Sequence, residues 1–199
     1  MSRLEVGAKQ TIKTFQYFTD SYKEIIKERD LSFYKTKEQG SELDNFSYVI
    51  NKYSGNDYWK LNNYLRIGEV SGFTESELKS WAYCLHSSLQ YRTSNVSNGT
   101  KVYRGVTLSP PSDWKVGKRF YFGEFVSTSL NEEIAEDFAK GGPIMIIKIK
   151  NNGNGRNNYC RDISDISEYD EEEVLITAFC IFKITDIEGN YYYLDCEGY

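Results

Sequence analysis

Three short segments of this 199-residue chain hold the residue types that can do chemistry together: Tyr103-Arg104-Gly105, Ser127-Thr128-Ser129 and Glu171-Glu172-Glu173-Val174-Leu175. A guanidinium at the end of a strand can grip a phosphate through two parallel hydrogen bonds. The glycine after it leaves room for a ligand to approach the backbone. A hydroxyl-rich strand can orient a neighbouring carboxylate. Glutamates at i and i+2 of an extended segment point to one face, so Glu171 and Glu173 are expected to converge on a single substrate. Taken alone, each segment has an ordinary explanation: a surface salt bridge, the solvated face of a strand, a solvated run of acids. The acids from Asp170 to Glu173, however, run directly into Val174-Leu175-Ile176, which places them at the edge of a buried strand, a rigid place to build a site.

The elements that must position these residues divide the chain into a helical first half (1–95) and a strand-rich second half (100–199). Ala8, Ile12, Phe15, Phe18, Tyr22, Ile25 and Ile26 recur at helical spacing, which predicts an amphipathic helix ending near Asp30. Leu43, Phe46, Ile50 and Tyr53 continue the period in a second helix, closed at Ser54-Gly55. A short third helix carries Tyr58, Leu61, Asn62, Leu65 and Arg66 up to Gly68. Thr74 and Glu77 form a capping-box pattern ahead of a fourth. Beyond Lys101, the segments Val102–Val106, Arg119–Phe122, Phe125–Ser129, Ile144–Ile149, Val174–Ile184 and Tyr191–Leu194 read as strands. Asn131 is a good N-cap for one intervening helix, and Asn151–Asn158 reads as an exposed loop. Helices segregated from a later set of strands predict an α+β fold in one domain over 1–199.

Composition removes several functions. A formal net charge of −5 argues against nucleic acid and anionic membranes as partners. No stretch approaches the ~20 apolar residues of a membrane span, and Met1–Gln10 lack the apolar core of a signal peptide. Cys84, Cys160, Cys180 and Cys196 form no CxxC pair and His86 is the sole histidine, so no metal site is expected. His86 continues a helical pattern and reads as structural. The cysteines suit either buried thiols or one or two disulfides.

The joint occurrence is specific. An aromatic-Arg-Gly strand, a Phe-apolar-Ser-Thr-Ser strand and a Glu-x-Glu followed by Val-Leu resemble the arginine–serine–glutamate clade of mono-ADP-ribosyltransferases. That clade includes actin-directed and cholera-type bacterial toxins and animal arginine-specific transferases. Tyr53-Ser54-Gly55, Tyr58, Asn62 and Leu65-Arg66 look like the helix that lines the NAD cleft in these enzymes. The resemblance spans roughly residues 45–185. It implies helices packed on a mostly antiparallel two-sheet core, with NAD as substrate, no metal, and an arginine-bearing protein as acceptor for a monomeric enzyme.

Cleavage of the NAD glycosidic bond builds positive charge on the ribose as nicotinamide leaves, so it needs a carboxylate near the ribose and a cation for the pyrophosphate. By resemblance, Glu173 stabilises that oxocarbenium-like transition state and Glu171 positions the incoming acceptor nitrogen. Ser127 orients Glu173, Arg104 binds phosphate or ribose, and the Gly105 backbone holds the nicotinamide carboxamide. Arg66 is a second phosphate contact, Asn62 lies on the cleft helix, and Phe122 is the candidate aromatic stacked on nicotinamide. Glutamate at the first position of the pair goes with arginine acceptors in this clade. Asp170 and Glu172 also form an acid-x-acid pair; Glu171/Glu173 is favoured because the family glutamate directly precedes Val-Leu. The alternatives are an NAD glycohydrolase using the same site and an inactive NAD-binding module.

Overall fold

The computed structural model describes residues 21–37, 41–91, 96–107, 109–151, 159–169 and 171–198. Of the predicted first helix, residues 21–28 are helical (α1) and bury Tyr22 and Ile25. Ala8, Ile12, Phe15 and Phe18 lie outside the described residues, as do Asp170 and most of the predicted 151–158 loop.

The second helix, α2 (Asn45–Lys52), begins where Asp44 accepts a hydrogen bond from the Ser47 amide at 2.7 Å, satisfying one of the amides that a helix start leaves without a partner. The sequence predicts that this helix closes at Ser54-Gly55. Instead the chain winds on through a π-helical turn (Tyr53–Asp57), departing from helical geometry only at Gly55 (ψ −157°), and enters α3 (Tyr58–Ile67). Such widened turns are frequent at functional sites. Gly68 ends α3 in the left-handed conformation, its amide bonded to the Tyr64 carbonyl. The predicted capping box starts α4 (Glu75–Tyr91): the Glu77 carboxylate accepts from the Thr74 amide at 2.7 Å, and the Thr74 hydroxyl accepts from the Glu77 amide at 3.2 Å. Leu78, Trp81, Leu85 and Leu89 of α4 are fully buried, and Phe33 stacks on Trp81 with ring centroids 5.0 Å apart.

The strands are β1 (Lys101–Gly105), β2 (Arg119–Tyr121), β3 (Val126–Ser129), β4 (Ile144–Ile149), β5 (Cys160–Asp162), β6 (Glu173–Ile176), β7 (Ile181–Glu188) and β8 (Tyr191–Gly198), with α5 (Glu132–Ala139) following β3. They form one hydrogen-bonded series in the order β2-β7-β8-β4-β1-β3-β6-β5, antiparallel throughout except for β4 beside β8. The two-sheet division expected from the resemblance survives as a seam: β1 and β3 share a single registered pair, Tyr103 opposite Ser129. Two departures from the predicted strands stand out. The Val174–Ile184 run is two strands, separated by a turn in which Phe179 takes φ +61° and donates its amide to the Phe122 carbonyl. Cys160–Asp162 forms an edge strand on β6 that no periodicity announced.

Two apolar cores meet at β6. Leu175 packs with α1 to α4 and Phe125, whereas Val174 and Ile176 pack with Val102, Met145, Ile147 and Phe182 between the strands. A strand buried on both faces must be continuously apolar, which is why Val-Leu-Ile follows the acids without alternation. All four cysteines are buried free thiols. Among the described residues no helix is long and apolar enough to cross a membrane.

Candidate active site

Glu173 opens β6 opposite Ser129, with Ser127 opposite Leu175, so the two serines and the glutamate share one face of the β3–β6 ladder. Only 5% of Glu173 is exposed. Its carboxylate accepts a hydrogen bond from the Ser167 hydroxyl at 3.1 Å, and the Ser127 hydroxyl also lies near enough to favour its charged form. Burial pushes this carboxyl above the ordinary glutamate range; the two hydroxyls and Arg104 pull it down, and Glu171 pushes it further up. The other two hydroxyls of the serine strand hold backbone. Thr128 donates to the Val174 carbonyl at 2.6 Å and Ser129 to the Glu171 carbonyl at 2.7 Å.

Glu171 reaches the site by a route the sequence did not show. It precedes β6, and Glu172 between the two acids adopts φ +46°, so the pair is not related by an extended strand. The left-handed residue turns the chain, and both Glu171 and Glu173 still line the same cavity. Glu172 is directed instead to Asn131, the N-cap of α5, whose amide donates to it at 3.3 Å. Partial burial also raises the Glu171 carboxyl above its usual range.

Arg104 is the penultimate residue of β1, opposite Met145. Its guanidinium donates to the Ser127 carbonyl at 2.8 Å and lies over the Phe122 ring, 5.8 Å from the centroid. Among the described residues its buried Nε has no hydrogen-bond partner. The glycine that follows has a different neighbour from the one expected. A Cβ at Gly105 would lie 1.9 Å from the Ala135 carbonyl oxygen and 2.5 Å from the Ala139 amide, so its bareness admits helix α5 as well as facing the cavity.

These groups surround a cavity of about 360 Å³. One wall is the π-turn and α3, contributing Tyr53 to Asn56, Tyr58 and Asn62; the floor is Tyr103 to Gly105 and Ser127 to Ser129; α5 adds Ile134, Ala135 and Phe138, and Tyr169, Glu171 and Glu173 complete the rim. Asn62 donates to the Tyr53 hydroxyl at 2.9 Å, which in turn donates to the Phe125 carbonyl at 3.2 Å. Burial raises the Tyr53 phenol far above its usual range, so it stays a neutral donor, with the Ser127 hydroxyl close by. Among the described residues the buried Asn62 side-chain oxygen has no hydrogen-bond partner.

Asn62, Arg104, Gly105, Ser127, Glu171 and Glu173 are thus brought together, while Arg66 and Phe122 are not among the lining residues. Arg66 bonds the Asn62 carbonyl and the Asn63 side chain and pairs with the buried Glu124 at 3.1 Å. Glu124 also faces Arg104 at 3.8 Å, so Arg66 is linked to the site through an acid. Phe122 supports Arg104 from within the strand core, edge-on to Phe182 at 5.3 Å. The exposed aromatics on the cavity are Tyr58, Phe138 and Tyr169, of which Phe138 is the one apolar ring. For Phe138 the sequence offered only its place in the helix after the serine strand; its exposure on the cavity was not legible.

Helices packed on a split, mixed sheet, with a cleft at the seam lined by arginine, serine and two glutamates, place this chain in the class of NAD-cleaving ADP-ribosyl transferases. It belongs to the ADP-ribosyltransferase exoenzyme family, whose sequence model matches residues 33–192. NAD is the substrate of that family's reaction. No curated protein sequence matches significantly. Solved structures share the fold. The Vis toxin of Vibrio splendidus, an ADP-ribosyltransferase, is 22% identical in its inhibitor complex, covering 100% of this chain and 90% of its own at a TM-score of 0.62. The eukaryotic mono-ADP-ribosyltransferase ART2.2 is 22% identical over 90% of this chain and 78% of its own, with a TM-score of 0.56. Exoenzyme S of Pseudomonas aeruginosa is 19% identical over 88% of each, with a TM-score of 0.60.

Proposed function

We propose that this protein transfers a single ADP-ribose from NAD to an arginine side chain of an acceptor protein and releases nicotinamide. The observation that carries the reading is the pairing of Glu171 and Glu173 on one cavity with Arg104. Arg104 holds the pyrophosphate. Phe138, rather than Phe122, stacks on the nicotinamide, and the backbone at Gly105 receives its carboxamide. As the glycosidic bond lengthens, charge builds on the ribose and Glu173 stabilises it from a buried position, where a fixed carboxylate acts most strongly. Ser127, itself close to Tyr53, fixes the rotamer of Glu173. Glu171 sits at the rim, where it accepts hydrogen bonds from an entering guanidinium and takes up its proton; burial has already raised its affinity for one.

A guanidine acceptor is supported by the chemistry of two acids on one cavity and by a relative: the Vis toxin has been crystallised with agmatine, a guanidino amine. The test is incubation with labelled NAD and a small guanidino compound. Labelled adduct, cleaved by hydroxylamine and resistant to mercuric ion, is expected. Nicotinamide release unaffected by the compound, with no adduct, would assign the site to NAD hydrolysis instead.

A further inference from the structure

Glu173 has a second hydroxyl partner that no motif announced. Ser167 Oγ donates to Glu173 Oε2 at 3.1 Å, from six residues upstream. The two hydroxyls on this carboxylate come from different parts of the molecule. Ser127 belongs to β3, within the sheet, whereas Ser167 belongs to the loop joining β5 to β6, which also brings Tyr169 and Glu171 to the cavity. That loop turns tightly, with the amides of Ile166 and Ser167 both bonded to the Ile163 carbonyl. It is pinned across the cleft to the helical wall: Asn51 donates to the Ile166 carbonyl at 2.9 Å, the Glu168 amide to the Ser54 hydroxyl at 2.9 Å, and the Tyr169 hydroxyl to Asn56 at 3.2 Å. The place of the Ser167 hydroxyl is therefore set by the rim loop and the π-turn, not by the sheet.

We propose that Ser167 is a positioning residue for Glu173, coupling the rim loop to the carboxylate that stabilises the ribosyl cation. The proposal rests on the assignment of Glu173 to that role. The Ser167 hydrogen bond and the nearby Ser127 hydroxyl both favour its charged form, leaving its remaining lone pairs for the ribose. The groups facing Glu173 are Glu171 from the same loop, Arg104 from β1 and the neutral Tyr53 phenol from the π-turn. Arg104 and the hydroxyls favour ionisation, while Glu171 and burial oppose it. Removing one hydroxyl makes the carboxylate hold its proton more tightly, so the acid limb of the rate profile moves to higher pH. An acceptor that displaces the loop shifts Ser167 and so alters the rate of nicotinamide release.

The experiment measures nicotinamide release by the full chain across pH for wild type, S167A, S167C, S167T, S164A and E173Q. S167A and S167C are expected to lower kcat about tenfold and to move the acid limb of kcat/KM upward by about one pH unit, with KM for NAD nearly unchanged. S167C nearly preserves volume, so its shift reads the hydroxyl and not packing. S167T should restore the profile. S164A should match wild type, because Ser164, in the same loop, spends its hydroxyl on Asp162 at the end of β5. Loss of release in E173Q together with an unshifted acid limb in both S167A and S167C would overturn the proposal alone. Release retained in E173Q would overturn the assignment of Glu173 and the proposal with it.

Discussion

Glu173 shows at the scale of one residue how a site is held against the preferences of the fold. A carboxylate with its carboxyl raised by burial destabilises the folded state when ionised, and that cost disappears as pH falls through the ordinary glutamate range and the group becomes neutral in both states. Glu173→Gln is therefore expected to raise the melting temperature at neutral pH while lowering nicotinamide release by on the order of 10²–10³. The difference in melting temperature should close on acidification. Calorimetry at several pH values beside a release assay checks both halves, and a variant that loses stability at neutral pH would contradict the sign. Glu171→Gln tests the division of labour between the acids. It should remove transfer to a guanidine while leaving NAD hydrolysis measurable, because Glu171 lies at the half-buried rim and does not share the hydroxyl partners of Glu173. Equal loss of both activities, read as adduct and as free ADP-ribose, would count against the split.

At the scale of elements, the site depends on helix α5 lying close against β1. The contact is backbone to backbone, made possible by Gly105: the space that a methyl group would need is filled by the Ala135 carbonyl and the Ala139 amide. Neither atom can rotate away as a side chain would. Gly105→Ala should therefore destabilise the fold by about 2 kcal/mol, read as a lower denaturant midpoint at unchanged slope. Unchanged stability with weakened NAD binding would show that ligand access alone requires the glycine. The same packing brings Ile134 and Phe138 of α5 to the cavity, so α5 is a wall of the cleft and not merely a connection between strands. Opposite it, the π-turn carries Tyr53 inward to the hydroxyl network while Ser54 and Asn56 hold the rim loop.

At the scale of the whole molecule, the helical core and the main strand core share β6, and the histidine lies deep in the helical one. His86 is buried, its Nδ1 is 3.1 Å from the Tyr22 hydroxyl, and burial lowers its pKa to about 4. The Tyr22 ring also packs on Phe125 and Phe179, which join the helices to the sheet beside the cleft. An unfolded histidine titrates near 6.5, so the unfolded chain takes up this proton first. The stability linked to His86 is thus complete above about pH 6.5 and is lost as pH falls toward 4, a decline of roughly 3 kcal/mol. Urea unfolding between neutral and mildly acidic pH should show that slope, and His86→Gln should flatten it. A slope unchanged by the substitution would place the acid sensitivity elsewhere.

Local signals determined much of this. The capping box at Thr74, the N-cap at Asn131 and the glycine stop at Gly68 all appear in the structure, because a helix end is decided by hydrogen bonds reaching only three or four residues. The α+β class was likewise legible from periodicity, and the arginine, serines and glutamates from their types and order. Questions that depend on distant neighbours were not. Whether a helix stops at Ser54-Gly55 depends on what packs there, and the chain instead widens into a turn. The continuous apolar run after Glu173 shows no period, so its break near Phe179 was invisible until the pairing of β7 with β8 was known. Choosing between Phe122 and Phe138 required knowing which surface faces the cleft. The link from Arg66 through Glu124, and the second hydroxyl of Ser167 on Glu173, join residues that no spacing rule relates. The sequence by itself thus determined which groups are available and where helices begin and end; the tertiary structure alone decided which of those groups share a cavity, because that depends on how two cores close around one strand.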